Sequence, residues 1–531
     1  MARQTKRPDS QRGDPLVAGP RFTGRLNGWG GSLLALIAGA TLVLAFAPFA
    51  FWPAAIIAPA VLFALIRHCR PGRAMRLGWW FGLGQFGLGV SWVYESFTLF
   101  GGIVAPLAVL VTALFVMALA VYPAVAAWLA VRVTPKADWP SRAAAFVASW
   151  VLVEALRAWL FGGFPWLNLG ISQVDGPLVG WLPLIGEYGV TAILLALGVV
   201  LWCLTSRVWG HGPDWRRWLG PAGLLLFVLL ASLPLRSIEW SKPTGQTLSV
   251  GVVQGNIAQM QKFDPEFFQR TLSIYRDLTD SLPEVDLVLW PETAIPRVID
   301  DLPDLRTELD ALARDRNFSL LVGTFSRDET GRYYNTLLGF PDSVGEYRKR
   351  HLVPFGEYFP LRWLLEQMPW LFQVPMSDLS SGGANQSPLR VGELTLGASI
   401  CFEADFSRDI RATIPDADLL VTVSNDSWFG ESFSPHQHLQ MARARAIEFR
   451  RPLVRATNTG ISAIVDTTGH VRQTLGTGEQ GVLTADVRPR EGNTPLAYLG
   501  AWPILGLMLI VLAVAVWWQA RLRSGTARKF E

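Results

Sequence analysis

The chain has 531 residues, 50% of them hydrophobic and only 17% charged, with a formal net charge of +4 and a mean hydropathy of +0.28. That is too apolar for a soluble globular protein of this length and points to a membrane protein. The basic residues are spread in small clusters between apolar runs, not gathered on one face with a motif, which argues against a nucleic-acid-binding protein.

A polar tail over residues 1–30 carries Arg3, Lys6, Arg7, Arg12, Arg21 and Arg25. Apolar runs, each of roughly spanning length, then centre on 32–50, 53–66, 77–98, 103–131, 143–161, 182–204 and 219–235, with one more at 499–519. The first two merge through "FAPFAFWPAA" and read as a helical hairpin turning at Pro48 and Pro53. A long polar tail and an immediate second run argue for an uncleaved first span over a signal peptide.

Arg67, Arg70, Arg73 and Arg76 follow the second run, Arg132, Lys136 and Arg142 the fourth, and Arg207, Arg216 and Arg217 the sixth; Arg521, Arg523, Arg528 and Lys529 close the chain. The alternate loops near 48–53, 95–103 and 162–181 contain neither Lys nor Arg. Short basic loops stay in the cytoplasm, so this alternation predicts eight spans with both ends cytoplasmic. The expected organisation is a tail over 1–30, seven helices over 31–236, an extracytoplasmic domain over 237–498, an eighth helix over 499–520 and a second tail over 521–531. Within the helical part, Glu154 and Arg157 stand three apart and can pair on one helix face. A brace for the bundle and a substrate contact are both open for them, and Glu95 is equally undecided.

Residues 237–498 differ in character. Charges are dense, and short Val- and Leu-rich pieces such as "TLSVGVVQG", "VDLVLWPE", "SLLVGTF", "ELTLGASICFE", "ADLLVTVSND" and "ISAIVDTTG" alternate with helix-compatible stretches such as 264–281 and 436–450. These pieces read as strands buried on both faces, hence an α/β domain.

Several side chains in this domain stand where chemistry can happen. "VDLVLWPETAIP" ends an apolar strand in Trp-Pro-Glu, which puts Glu292 at the mouth of a sheet. Only two lysines occur between 246 and 490, Lys262 and Lys349, although arginine is used throughout. Lys349 sits between two arginines in "YRKRHLVPFGEYFP"; a compact ammonium that shifts its pKa on burial is a reason to keep lysine there. Glu357 follows in the same motif. Both glutamates could equally cap helices. Residues 358–376, "YFPLRWLLEQMPWLFQVPM", hold Trp363, Leu364, Leu365, Met368, Trp370, Leu371 and Phe372, and read as an interfacial lid gripping acyl chains in preference to ordinary core.

Cys401, in "ASICFEADF", has no partner in its domain, since Cys69 and Cys203 lie in the membrane region. Free cysteine is usually a small buried hydrophobe, but a strand ending in Cys-Phe-Glu places the sulfur where α/β sheets put their active sites. A thiol nucleophile needs a base and a cation or donor for the oxyanion; Glu292 and Lys349 are candidates for those parts. Trp428 in "SNDSWFG" is a candidate wall of the same site. His436 and His438 in "SPHQHLQ" lack a third ligand at zinc-site spacing and read as a helix N-terminal surface. No metal and no cofactor is expected.

"WPETAIP", "YRKRHLVPFGEYFP" and "ICFEADF" in this order resemble the Glu-Lys-Cys motifs of the nitrilase, or carbon–nitrogen hydrolase, superfamily. "GLGQFGLGVSWVYESF", "GGFPWLNLGISQVDGP", "QGNI", "SNDSWFG" and "ATNTGISAIVDTTG" resemble its membrane-embedded branch, the apolipoprotein N-acyltransferases. The resemblance implies an αββα sandwich and a two-step transfer in which Glu292 deprotonates Cys401 and the thiolate takes an acyl chain from a membrane phospholipid as a thioester. Lys349 and the backbone N–H of Phe402 hold the oxyanion, Glu357 orients Lys349, and Glu403 shapes the site. The acyl chain then passes to the α-amine of a diacylated apolipoprotein N-terminus. A monomer in the bacterial inner membrane, with its catalytic domain periplasmic, is implied. The family commonly has Tyr where this chain has Phe402. The rival readings are a membrane-tethered amidase of the same superfamily and a non-catalytic scaffold or transporter.

Overall fold

The computed structural model describes residues 28–100, 103–135, 139–208, 219–354, 356–358 and 378–527. The proposed lid from residue 359 on, with Trp363 and Trp370, lies outside the described residues, as do residues 1–27 and 528–531 of the tails.

Each apolar run of the sequence overlaps a helix: α1 (Trp29–Leu42), α2 (Ala54–Ile66), α3 (Pro71–Gly89), α4 (Ala105–Val133), α5 (Trp139–Arg157), α6 (Leu182–Val208) and α7 (Leu219–Arg236). Four helical segments, Ala105–Val133, Val179–Ser206, Leu219–Arg236 and Trp502–Arg521, are long and apolar enough to cross a membrane, while Trp29–Ala45 and Ala54–Ile66 are shorter. α3 and α5 carry buried polar side chains, Gln85 on the first and Arg142, Glu154 and Arg157 on the second. The hairpin of α1 and α2 turns through Pro48, with Pro53 at the N-cap of α2. Small residues let the helices touch backbone to backbone: a Cβ at Gly39 of α1 would lie 1.9 Å from the Phe81 carbonyl oxygen of α3, and one at Gly84 would lie 2.0 Å from that of Leu36. This is the close approach that Gly permits between apolar helices.

After α7 the chain builds β1 (Leu248–Gln254), α8 (Phe268–Asp280), β2 (Leu287–Leu289), α9 (Pro303–Asp315), β3 (Ser319–Arg327), β4 (Tyr333–Phe340) and β5 (Glu346–Arg348). It continues with β6 (Leu389–Val391), β7 (Leu394–Ile400), β8 (Leu419–Ser424), α10 (Ser434–Phe449), β9 (Leu453–Thr457), β10 (Ser462–Val465), β11 (Val471–Leu475) and β12 (Gly481–Val487) before the last helix, α11 (Trp502–Ala527). Two six-stranded sheets result, in the orders β12-β1-β2-β3-β4-β5 and β11-β10-β9-β8-β7-β6. β1, β2 and β3 run parallel, as do β7, β8 and β9.

The sheets face one another through Val250, Val252, Leu289 and Leu321 on one side and Leu396, Ile400, Val421 and Val454 on the other. α8 and α9 cover the outer face of the first sheet through Leu272, Tyr275, Leu305 and Leu309; α10 covers the second through Leu439, Ala442, Ala446 and Phe449. The expected four-layer order, helix on sheet on sheet on helix, is therefore present. α10 is buried on its other side as well, since Met441, Ala444 and Ile447 join the core of the helical part.

The loops that lack Lys and Arg all reach this domain. Ala47 donates its N–H to Gln440 Oε1 at 3.1 Å, the Ser96 hydroxyl donates to the Trp428 carbonyl at 2.6 Å, and Trp166 Nε1 donates to Gln437 Oε1 at 2.6 Å. Glu154 and Arg157 form no direct ion pair. Glu154 accepts from Trp150 Nε1, Thr191 Oγ1 and the Leu169 N–H. Arg157 donates to the carbonyls of Phe164 and Trp166 and to Asn168 Oδ1. Glu154 thus ties the 164–169 loop to α5 and α6, and Arg157 satisfies oxygens of that loop that would otherwise lie buried without donors.

Candidate active site

Glu292 leaves β2 two residues beyond Trp290 and is 5% exposed. The loop that carries it lies on β3 because residue 323 is glycine: a Cβ there would stand 2.3 Å from the Pro291 carbonyl oxygen and 2.6 Å from Glu292 Cα. Both carboxylate oxygens are bonded. Oε1 accepts from Asn335 Nδ2 at 2.8 Å and Lys349 Nζ at 3.2 Å, and Oε2 accepts from the Asn425 N–H at 2.9 Å.

Lys349 follows β5 and is 1% exposed. Its N–H donates to the Asn335 carbonyl at 2.8 Å, and Nζ donates to Glu357 Oε1 at 2.8 Å besides Glu292. Burial works against the ammonium, but Glu292, Glu357 and Cys401 outweigh it and hold its pKa well above the ordinary lysine value. Glu357 is fixed in turn by Asn335 Nδ2 at 2.9 Å and the Val353 N–H at 2.8 Å.

Cys401 ends β7 with φ +54 and opens a turn over Cys401–Asp405. A non-glycine residue held in the left-handed region costs energy that a merely structural thiol has no reason to incur. Burial, and then the Glu292 carboxylate, raise the thiol well above its ordinary value, with Lys349 opposing. The structure thus brings Glu292, Lys349 and Cys401, distant in sequence, into one electrostatic unit.

Glu403 locks that unit. Its carboxylate accepts from the Ile400 N–H at 2.7 Å, the Arg350 N–H at 2.7 Å, the His351 N–H at 3.1 Å and the Tyr347 hydroxyl at 3.0 Å. One buried side chain therefore fastens the cysteine turn to the backbone just after Lys349 and to the Tyr347 hydroxyl just before it. The Phe402 ring packs edge-on against Phe406, 4.9 Å between centroids, and against His351 at 5.5 Å. Trp428 lies in the turn Ser427–Phe429, three residues after the Asn425 that bonds Glu292, and packs against the helical part.

Other residues at the site have no part in the sequence-based set. Asn335, in the middle of β4, joins Glu292 to Glu357, and Asn425 closes the opposite side of Glu292; an amide inside an apolar strand was the signal for the first. Lys262, in the turn Gln259–Lys262, is fully buried. Its Nζ donates to Asn425 Oδ1 at 2.8 Å and to the Glu292 carbonyl at 3.2 Å, and burial lowers its pKa to about 7 against the pull of Glu292. The scarcity of lysine in the domain pointed to both of its buried lysines, and only one was taken up.

His438 corrects an expectation. It is not on a helix surface but 1% exposed, with Nδ1 2.9 Å from Asp426 Oδ1 and Nε2 3.3 Å from the Cys401 carbonyl. α10 packs against the turn that carries Cys401, which turns this face of the helix inward; His436 stays exposed. Arg455 pairs with Asp426 at 2.8 Å beneath it. Among the described residues no group of three His, Cys, Asp or Glu side chains is placed to hold a metal ion.

Residues 38–200 match the family model described as the apolipoprotein N-acyltransferase N-terminal domain, and residues 249–494 match that of the carbon-nitrogen hydrolases. A curated apolipoprotein N-acyltransferase of Azotobacter vinelandii is 40% identical over 495 residues, 92% of this chain and 95% of its own length. That of Pseudomonas paraeruginosa is 38% identical over 514 residues, 95% of this chain and 98% of its own. Among solved structures, a carbon-nitrogen hydrolase of Helicobacter pylori G27 aligns with 52% of this chain and 94% of its own at 16% identity, with a TM-score of 0.37.

Proposed function

The chain belongs to the apolipoprotein N-acyltransferase family and is an acyltransferase of lipoprotein maturation, and from that membership we propose that it works by two displacements at Cys401. Glu292 removes the thiol proton as Sγ attacks the ester carbonyl of a membrane phospholipid. The C–O bond breaks, the alkoxide of the lysophospholipid takes the proton back from Glu292, and a thioester remains on Cys401. The α-amine of a diacylated lipoprotein N-terminus then attacks the thioester. Glu292 accepts the amine proton, the thiolate leaves and is reprotonated, and the product is an amide.

The observation that carries this reading is the buried unit of Glu292, Lys349 and the strained Cys401. A thiol kept high by burial and by a neighbouring carboxylate stays protonated at rest, so the proton moves to Glu292 only as the sulfur attacks, which is general-base activation of a nucleophile. Lys349, cationic and held by Glu357, and the Phe402 N–H stabilise the oxyanion of each tetrahedral intermediate. Asn335 and Lys262 hold Glu292 from two sides. Trp428 lines the acyl path.

In this reading residues 31–236 and 499–520 form eight spans with both termini cytoplasmic, and 237–498 works in the periplasm at the inner-membrane surface. The contacts of the three Lys- and Arg-free loops with the catalytic domain support one common side for all of them. The protein acts as a monomer. Incubated with phospholipid alone, the protein should gain one acyl mass on Cys401, and a diacylated lipopeptide should remove it as an amide. Release of the chain as free fatty acid in the presence of the lipopeptide would instead indicate a hydrolase of the amidase kind.

A further inference from the structure

A second basic site lies away from the cysteine. Where α7 ends, a cavity of about 320 Å³ is lined by Asp175, Gly176, Arg236, Arg443, Arg450 and Thr468, among others. Arg443, on α10, is five residues beyond His438, about 8 Å further along the axis at the helical rise. Three guanidinium groups face one carboxylate here. Arg443 spends its donors on Asp175, at 2.6 and 3.0 Å, and on the Gly469 carbonyl at 2.7 Å. Arg236 is exposed and gives one Nη to the Gly176 carbonyl at 2.8 Å.

Arg450 is the telling residue. It is 6% exposed, its two Nη atoms reach only the carbonyls of Thr467 and Arg236 at 3.3 and 3.2 Å, and its buried Nε has no hydrogen-bond partner. The nearby Asp466 is held by Arg472 at 2.7 Å. A buried guanidinium with an unmet donor costs free energy unless an acceptor arrives.

What arrives is indicated by α7 itself. It docks on the 176–181 loop through Ser232, which accepts from the Gly180 N–H, and through the Val228 carbonyl, which accepts from Trp181 Nε1. α7 is otherwise exposed nearly all round: Leu224 is 62%, Phe227 66%, Leu230 54% and Leu233 58% exposed, an apolar stripe that winds about the helix and ends at Arg236. Apolar surface leading into an underbonded arginine cavity has the two-part chemistry of a lipid.

We propose that this cavity binds the phosphate of an anionic phospholipid headgroup, whose acyl chains lie along the exposed stripe of α7. Planar guanidinium donors suit phosphate oxygens. The proposal rests on the membrane placement given above but not on the chemistry at Cys401. The lipid held here would tether the catalytic domain to the membrane surface through both α7 and α10.

The test uses the full chain in nanodiscs with a phospholipid that is photoreactive in its headgroup, followed by peptide mapping. Labelling of peptides spanning 174–180 and 466–470 is expected, competed by phosphatidylglycerol but not by diacylglycerol at the same mole fraction. Arg236→Gln should cut that labelling about tenfold, the worth of one charge-assisted contact. Asp175→Asn, which breaks only a partly exposed pair and frees Arg443, should raise it. Labelling that is unchanged in both variants, or competed equally by inorganic phosphate, would overturn the proposal. Loss of thioester formation with headgroup labelling intact would count against the mechanism at Cys401 and leave this site standing.

Discussion

The two halves of the molecule bury charge in opposite ways. In the helical part, Glu154 and Arg157 each bond to three neutral groups, those of Glu154 on α5, α6 and the 164–169 loop and those of Arg157 all on that loop. In the α/β domain, Glu292, Lys349 and Glu357 bond to one another and to amides at the sheet ends. The first arrangement is complete as it stands and holds a shape. The second leaves a proton acceptor, a cation and a thiol within one another's field, so it can move a proton. Both are costly to desolvate, and the comparison teaches that only the second spends that cost on chemistry.

The largest effects should therefore fall in the α/β domain with the fold intact. Glu292→Gln keeps the bonds to Lys349 and Asn335 in size and shape but cannot accept the thiol proton. Thioester formation should drop by about 10³-fold, within the range for loss of a general base, while the melting temperature moves little. If the rate holds, Glu292 only braces Lys349 and the comparison fails.

Glu403→Gln comes next. An amide cannot accept from three N–H groups and a hydroxyl as a carboxylate does, so the cysteine turn loses its fastening to the Lys349 strand. Acyl transfer should fall about 10²-fold, with a stability loss of about 2 kcal/mol. A rate loss no greater than the stability loss explains would place Glu403 with the structural charges.

Lys262→Met should lower the rate about tenfold by releasing Asn425 and the Glu292 carbonyl, and it carries a pH signature. The folded Lys262 gives up its proton at about 7, whereas an unfolded lysine keeps it to about 10.4. Between these values the unfolded chain binds the extra proton, so stability rises with pH. The melting temperature of the unsubstituted protein should climb relative to that of Lys262→Met from pH 7 toward 10; parallel curves would mean that Lys262 titrates normally.

How much of this was legible in the sequence follows from the kind of signal each feature leaves. Hydropathy and the Arg and Lys alternation marked every long helix, because apolar runs are read locally. The places of Glu292, Lys349 and Cys401 just beyond strand ends were legible, since each stands in a distinctive motif. Asn425 and His438 were not: their roles arise where separate segments meet, Asn425 with Glu292 and His438 with the cysteine turn, and no local pattern reports such a meeting; Asn335 left only the weaker sign of an amide inside an apolar strand. The Glu154 and Arg157 spacing suggested a pair; instead Arg157 donates to the buried oxygens of the 164–169 loop, and Glu154 accepts from Trp150, Thr191 and the Leu169 N–H.

Arg157→Met tests the helical side directly. It should destabilise the protein by about 3 kcal/mol, the cost of breaking a buried charged network, yet reduce thioester formation per folded molecule less than fivefold. Its bonds hold the loop from which Trp166 reaches Gln437 on α10, so some loss at Cys401 is expected, but no change in the pH profile.

The smallest effect sharpens the comparison at its finest point. Phe402→Tyr adds a hydroxyl to a ring wedged between Phe406 and His351. In the proposed mechanism this residue works through its backbone N–H, which the substitution leaves alone. The rate should stay within about twofold, since an added hydroxyl that finds water or a polar neighbour is close to neutral. A rise of tenfold or more would mean that a phenol at this position itself contributes to the oxyanion. Steady-state rates with both phospholipid and lipopeptide saturating decide between the two, because they report the displacements at Cys401 and not the binding of either lipid.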